Sequence, residues 1–182
     1  MLYACLLQSV HTTSVPPQHN VGDLNHIYQG LSDPQVIRYY RVSYRTAEET
    51  QVQMDWYAHL ETSGPGRWWA ICSQEDQTFM GASGLNNLHH THRKAELGFW
   101  FLPDYWGRGF ALEAVRAILE YAFQTLQLHR IEAQVEPENE ACKRLLTRLG
   151  FSYEGTWRDC EIKQGRFISL EHYALLEDQR PG

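Results

Sequence analysis

The stretch KAELGFWFLPDYWGRGFALEA, residues 94–114, holds one carboxylate in an apolar run and then two glycines around an arginine. Glu96 is that carboxylate. Burying it in an apolar strand is costly unless it is solvated or partnered. Burial there would also make it a better proton acceptor near neutral pH. The other reading is an edge glutamate paired with an arginine or facing water. Gly107-Arg108-Gly109 has three readings. A dinucleotide fingerprint needs a third glycine where Leu112 stands, and the P-loop pattern GxxxxGK[ST] is absent. What remains is a short GxG turn whose backbone amides face a pyrophosphate at the start of a helix. Neither glycine has a Cβ, so a ligand can approach the backbone closely, and Arg108 adds positive charge. On these residues alone a plain turn is favoured.

Further along, ENEACKRLLTRLG spaces Cys142, Leu145, Leu146 and Leu149 as a helical stripe, with Asn139 placed as the N-cap and Gly150 as the terminal glycine. LHHTHR carries His89, His90 and His92, where a solvated turn is favoured over a metal site. Trp56, Tyr57, Trp68 and Trp69 fit either a core or the lining of a cleft.

These residues need elements to hold them. MLYACLLQSV reads as a first strand, and TTSVPPQHN as a connection. GDLNHIYQGLSDPQV suggests a short helix limited by Pro34. Thr46 and Glu49 form a capping box, with Val52, Trp56 and Leu60 on one face behind it. RWWAICSQ, TFMGASGL and KAELGFWFL follow as strands, the first two as a hairpin. A helix spans Gly109 to Leu126, with Ala111, Ala114, Val115, Ile118, Ala122 and Phe123 on one face. HRIEAQVE is a strand, and FSYEGTWRD and RFISLEHYALL close the chain, joined by Asp159 to Gly165. The order predicts an α/β (α+β) fold, a mixed sheet covered by helices, with strand–turn–helix–strand over residues 94–135.

The 182 residues are 43% apolar and 21% charged, which suits one domain spanning 1–182 with a sizeable core. A net charge of −6 argues against nucleic acid as a partner. Cys5, Cys72, Cys142 and Cys160 make no CxxC pair or zinc spacing, which fits free thiols in a reducing cytosol. No apolar run reaches the length of a membrane span, and the N-terminus lacks the basic segment of a signal peptide. A cytoplasmic protein is expected.

Trp106-Gly107-Arg108-Gly109-Phe110-Ala111 resembles the coenzyme-A motif Q/R-x-x-G-x-G/A of the GNAT superfamily of N-acetyltransferases. Trp106 replaces the usual Gln or Arg, as in the RimJ/RimL-type branch, where runs such as YWGKGYA are common. ENEACKRLLTRLGF is similar to that branch's N-x-x-S…K-L-G-F segment, and KAELGFWF to its E-I/L-G-Y/F-W strand. The resemblance covers about residues 67–176 and implies a mixed, mostly antiparallel sheet of about seven strands with about four helices. The fourth and fifth strands splay apart to hold acetyl-CoA. It implies that Trp106 to Ala111 bind the pyrophosphate. The Trp100 backbone N–H would serve the thioester carbonyl, Phe101 and Leu102 would run beside the pantetheine arm, and Asn139 would contact it. Lys143, Arg144, Arg108 and Arg116 would meet CoA phosphates or solvent. Glu96 stands where the family has a general base. Cys142 replaces a Ser that donates a proton to the departing thiolate, and Leu146 replaces the Tyr used elsewhere. Cys142 is therefore read either as a proton donor or as a small residue in an apolar stripe. The implied activity is acetyl transfer without a metal, from a monomer or homodimer, to a primary amine. A (ribosomal) protein N-terminus is favoured over an aminoglycoside or polyamine. An acyl-CoA-binding module with little catalysis is the alternative.

Overall fold

The structure, a computed structural model, describes residues 21–73 and 75–180, without the side chains of 21–23. The strand expected over MLYACLLQSV and the connection after it lie outside the described residues. The elements are α1 (Val21–Ser32), α2 (Pro34–Ile37), α3 (Ala47–Ser63), β1 (Arg67–Cys72), β2 (Phe79–His89) and β3 (Lys94–Phe101). They continue with α4 (Phe110–Gln124), β4 (Arg130–Val135), α5 (Glu140–Arg148), β5 (Ser152–Lys163) and β6 (Arg166–Leu176).

The six described strands form one sheet in the order β1-β2-β3-β4-β6-β5. All neighbours are antiparallel except β3 and β4. That parallel pair is short. Lys94, Ala95 and Glu96 pair with Arg130, Ile131 and Glu132, and there the ladder stops. β3 continues beside β2 as far as Phe101, and β4 continues beside β6 as far as Val135. The two strands thus part at their carboxyl ends, as expected, and α4 crosses from one to the other.

Alternation decides what covers each face. Ala95, Leu97, Phe101, Ile131, Ala133, Val135, Tyr173 and Leu175 point to one side and pack against α4 and α5. Helix α4 buries Ala114, Val115, Ile118, Ala122 and Phe123, the face its spacing predicted, and adds Leu119. The opposite face of the sheet carries Ala82 and Trp100 under the helices α1 to α3. Beside β3's paired end it carries Lys94, Glu96, Arg130, Glu132 and Gln134, all half-buried, so this part of the face is polar and partly open.

Several elements differ from their sequence reading. Asp33 caps a separate one-turn α2, its carboxylate accepting from the Gln35 N–H at 2.7 Å, so the expected single helix is two. Five α-helices stand among the described residues, where about four were expected. The capping box before α3 forms: the Glu49 N–H donates to Thr46 Oγ1 at 3.2 Å, and Glu49 accepts from the Arg45 N–H at 2.8 Å. Of Val52, Trp56 and Leu60, only Leu60 is buried. Val52 is 66% exposed and Trp56 38% exposed, whereas Thr50, Gln53, Met54, Tyr57 and Leu60 are buried. Hydrogen bonds make the polar pair tolerable inside: Thr50 Oγ1 donates to the Thr46 carbonyl at 3.0 Å, and Gln53 accepts from the Tyr44 hydroxyl at 3.0 Å. Finally, β5 does not end at Asp159. It bulges there, with Asp159 at φ 50° and its N–H on Ser169 Oγ, and runs on to a tight turn at Gln164 and Gly165.

Candidate active site

The two lips of the gap are a helix start and a helix cap. Gly107 and Gly109 have φ of 69° and 89°, the left-handed region that disfavours side chains, and a Cβ on either would meet open space. Gly109 caps α4 with no side-chain bond to the first turn. The Phe110, Ala111 and Leu112 amides are therefore the unsatisfied donors that a helix start offers an anion. Arg108 is exposed beside them, stacked on the Phe110 ring at 5.1 Å. The sequence-predicted cradle thus has the geometry its residue types suggested. An open groove of about 420 Å³ follows from Gly109 along Leu112, Glu113, Arg116, Ala117 and Glu120.

The open edge of β3 corrects three expectations. The Leu102 N–H donates to the Met80 carbonyl at 2.9 Å, which sets the phase of the ladder. Gly98 and Trp100 then exchange their backbone bonds with β2, and Phe99 and Phe101, beyond the β4 ladder, turn theirs toward the gap. The Trp100 N–H is thus committed to Ala82 and does not face a thioester. Leu102 is also spent, since its carbonyl accepts from the Tyr105 N–H at 3.0 Å. The Phe101 carbonyl accepts from Trp106 Nε1 at 2.7 Å, leaving the Phe101 N–H for the gap. Phe99, which sequence reasoning passed over, is the residue whose N–H faces the gap at that level. No sequence signal reveals this phase, because it depends on β2.

Glu96 lies on the polar face where β3 and β4 begin to part. It is half-buried, and Oε2 accepts from Asn87 Nδ2 at 3.0 Å. Asn87 would point away by simple alternation. A break in register between Asn86 and His89, with Asn87 at φ 51°, folds its amide back onto Glu96. The Asn86-Asn87 pair was the available signal, since asparagine tolerates that conformation. Four other carboxylates of this part of the sheet have a cation. Glu132 meets Lys94 at 3.2 Å and Arg130 at 2.8 Å, and Glu154 meets Arg130. Glu136 meets Lys163, and Glu161 meets Arg41 at 3.2 Å. Burial opposes ionisation of Glu132, but bonds from Arg130 and Lys94 outweigh it and hold its carboxyl below the usual range. Among the described residues, Glu96 alone in this set has no cationic partner.

At the other lip, Asn139 caps α5 by accepting from the Cys142 N–H at 3.2 Å through Oδ1, which leaves its amide N–H groups for a ligand. Lys143 is held by Glu140 at 2.7 Å and Glu171 at 3.7 Å, so it is less available to a phosphate than its position suggested. Leu146 is 0% exposed and belongs to the core. Cys142 keeps some exposure as a residue, but its thiol is enclosed, and burial pushes its pKa up to about 12. Such a thiol keeps its proton through any assay pH. A thiol held protonated by burial is a poor donor to a departing thiolate. Packing is the role this favours. Cys142→Ala is expected to change kcat by less than about threefold with no new limb in the pH profile between pH 6 and 9. A loss of tenfold or more would restore the proton-donor role.

The three histidines lie at the exposed β2–β3 turn, where His89 and His92 stack at 4.2 Å. No group of three or more metal-ligating side chains occurs among the described residues. No helix among them is long and apolar enough to cross a membrane.

A gap at the carboxyl ends of parallel strands is where open sheets bind ligands. This one has an anion cradle at one lip and a lone carboxylate deep on the far face. It suits a long donor anchored by phosphate and reacting at its other end, as an acyl-CoA transferase requires. Residues 15–152 match the family model described as acetyltransferase (GNAT) domain. The chain belongs to that family, whose members use acetyl-CoA, and is an N-acetyltransferase. It is 33% identical over 161 residues to the uncharacterized N-acetyltransferase p20 of Bacillus licheniformis, covering 88% of this chain and 90% of the relative. It is 27% identical over 184 residues to spermidine N(1)-acetyltransferase of Escherichia coli K12, covering 97% and 95%. The crystal structure of spermidine N-acetyltransferase from Vibrio cholerae in complex with CoA and spermine shares the fold. Its TM-score is 0.77 at 24% identity, over 88% of this chain and 93% of that one.

Proposed function

We propose that this chain transfers the acetyl group of acetyl-CoA to the N-terminal amine of a protein. In this reading the Phe110 and Ala111 amides, with Arg108, hold the pyrophosphate. The pantetheine arm lies in the gap against the Phe99 and Phe101 backbone, with the Asn139 amide at the opposite lip. Glu96 takes a proton from the acceptor ammonium, directly or through a water. The freed amine attacks the thioester carbon, the carbon–sulfur bond breaks as the nitrogen loses its second proton to solvent, and the departing CoA thiolate takes a proton from solvent.

One observation supports the acceptor class. Glu96 has no cationic partner among the described residues, while Glu132, Glu136, Glu154 and Glu161 are each paired. One unpaired negative charge matches one positive charge on the acceptor. A protein N-terminus fits, and its pKa of about 7.7–8.0 asks only modest help from a base. The second reading is a polyamine, favoured by the Escherichia coli relative. It needs further carboxylates, which here would first have to leave their lysine and arginine partners.

Release of free CoA, measured over N-terminal peptides, aminoglycosides and spermidine, separates the readings. Turnover is expected with peptides. Turnover with spermidine alone would replace the protein N-terminus by a polyamine. Thermal stabilisation by CoA without turnover on any amine would leave a binding module.

A further inference from the structure

The polar face beside Glu96 has a wall made by one aromatic side chain. Trp68, on β1, lies flat across two strands toward β3, over glycines at the matching positions. Trp68 pairs with Gly84, and Gly84 with Gly98. A Cβ on Gly84 would stand 2.5 Å from Trp68 Cγ, and one on Gly98 2.7 Å from Cζ2. The indole is pinned there by its N–H, which donates to Asn86 Oδ1 at 2.7 Å. Asn86 is the residue paired with Glu96, so the far edge of the ring ends beside the carboxylate and the opening of the gap.

The wall continues outward through Tyr57, at 5.3 Å between ring centroids, and Trp56, at 6.1 Å, which reaches the surface. At its foot the Tyr57 hydroxyl and the Trp100 indole N–H are buried close to each other, which closes the base of the wall.

We propose that Trp68 determines which acceptors are used, by stacking the first side chain of a peptide whose amine meets Glu96. The acceptor is then a singly charged N-terminus with an apolar or aromatic first residue. The charge matches the Glu96 carboxylate, which has no cationic partner, and the side chain matches the indole. This inference rests on the acetyl-transfer reading above.

The test is a set of initial rates on short peptides that differ only in their first residue, Ser, Ala, Leu or Phe, with spermidine alongside. The wild-type protein is expected to use the Leu and Phe peptides at least about tenfold better in kcat/KM than the Ser peptide. Trp68→Phe keeps an aromatic ring against Tyr57 but is too short to cover Gly98 and loses the bond to Asn86. Gly98→Ala leaves the tryptophan in the chain but pushes its ring off β3. Both variants are expected to shrink the spread to within about threefold by raising the peptide KM, with the KM for acetyl-CoA unchanged. A wild type without first-residue preference overturns the inference, as does a spread that survives both substitutions or spermidine as the best acceptor. No transfer to any amine while CoA still binds overturns the proposed reaction as well. Transfer with a flat preference overturns this inference alone.

Discussion

Gly109→Val is expected to weaken CoA binding by at least about a hundredfold while the protein still folds. The cause is the position of the residue. Gly109 has φ of 89° and nothing of the protein within 4 Å of a Cβ built there. A valine would collide with no neighbour, so its side chain would occupy the space in which the amides of α4 present themselves. A β-branched residue also resists this conformation. Strain of about 1–3 kcal/mol would rotate the turn and misdirect the donors. In a chain of this size that strain lowers Tm by roughly 2–4 °C per kcal/mol, a visible but survivable loss. Isothermal titration with CoA and a thermal melt make the comparison, with Gly109→Ala as an intermediate case. Tight CoA binding by Gly109→Val would remove the turn from the cofactor site and leave it as a corner between β3 and α4.

Glu96→Gln is expected to lower kcat/KM for a peptide acceptor at pH 7 by about a hundredfold, the lower end of what a positioned base supplies. The amide keeps the shape of the carboxylate and can still meet Asn87, so folding and acetyl-CoA binding should be unaffected. What it cannot do is accept a proton. The variant should therefore depend on the fraction of acceptor that is already neutral. Its rate should climb toward the wild-type rate as the pH passes the amine's own value of about 7.7–8.0. The gap between the two proteins is thus largest at low pH and closes at high pH. A pH–rate profile of unchanged shape in the variant would exclude Glu96 as the base, whatever the size of the loss.

The legible parts of the site were those written in consecutive residues. Gly107 and Gly109 reported a left-handed turn because few other residues adopt one. The step to pyrophosphate needed the resemblance of Trp106 to Ala111, and of the segments around them, to the coenzyme-A motif. Asn139 reported a cap for the same local reason. The illegible parts depend on partners distant in the chain. Trp100 was assigned an outward N–H because nothing in KAELGFWF shows which residues bond to β2. Val52 and Trp56 were placed inward because hydrophobicity alone could not show that Thr50 and Gln53 would be hydrogen-bonded and buried. Cys142 had two readings in sequence, and enclosure of its thiol now favours one.

The sequence by itself determined the elements, their order, the glycine turn and the family. Helical spacing, strand alternation and turn residues all act within a few positions of one another. Only the tertiary structure decided which backbone groups of β3 face the gap and which carboxylates are neutralised. It also decided that a break in register brings Asn87 to Glu96 and that Gly84 and Gly98 make room for Trp68. Those outcomes depend on register across strands and on charges brought together from β3, β4, β5 and the segment after α2. Neighbours of that kind exist only once the chain has folded.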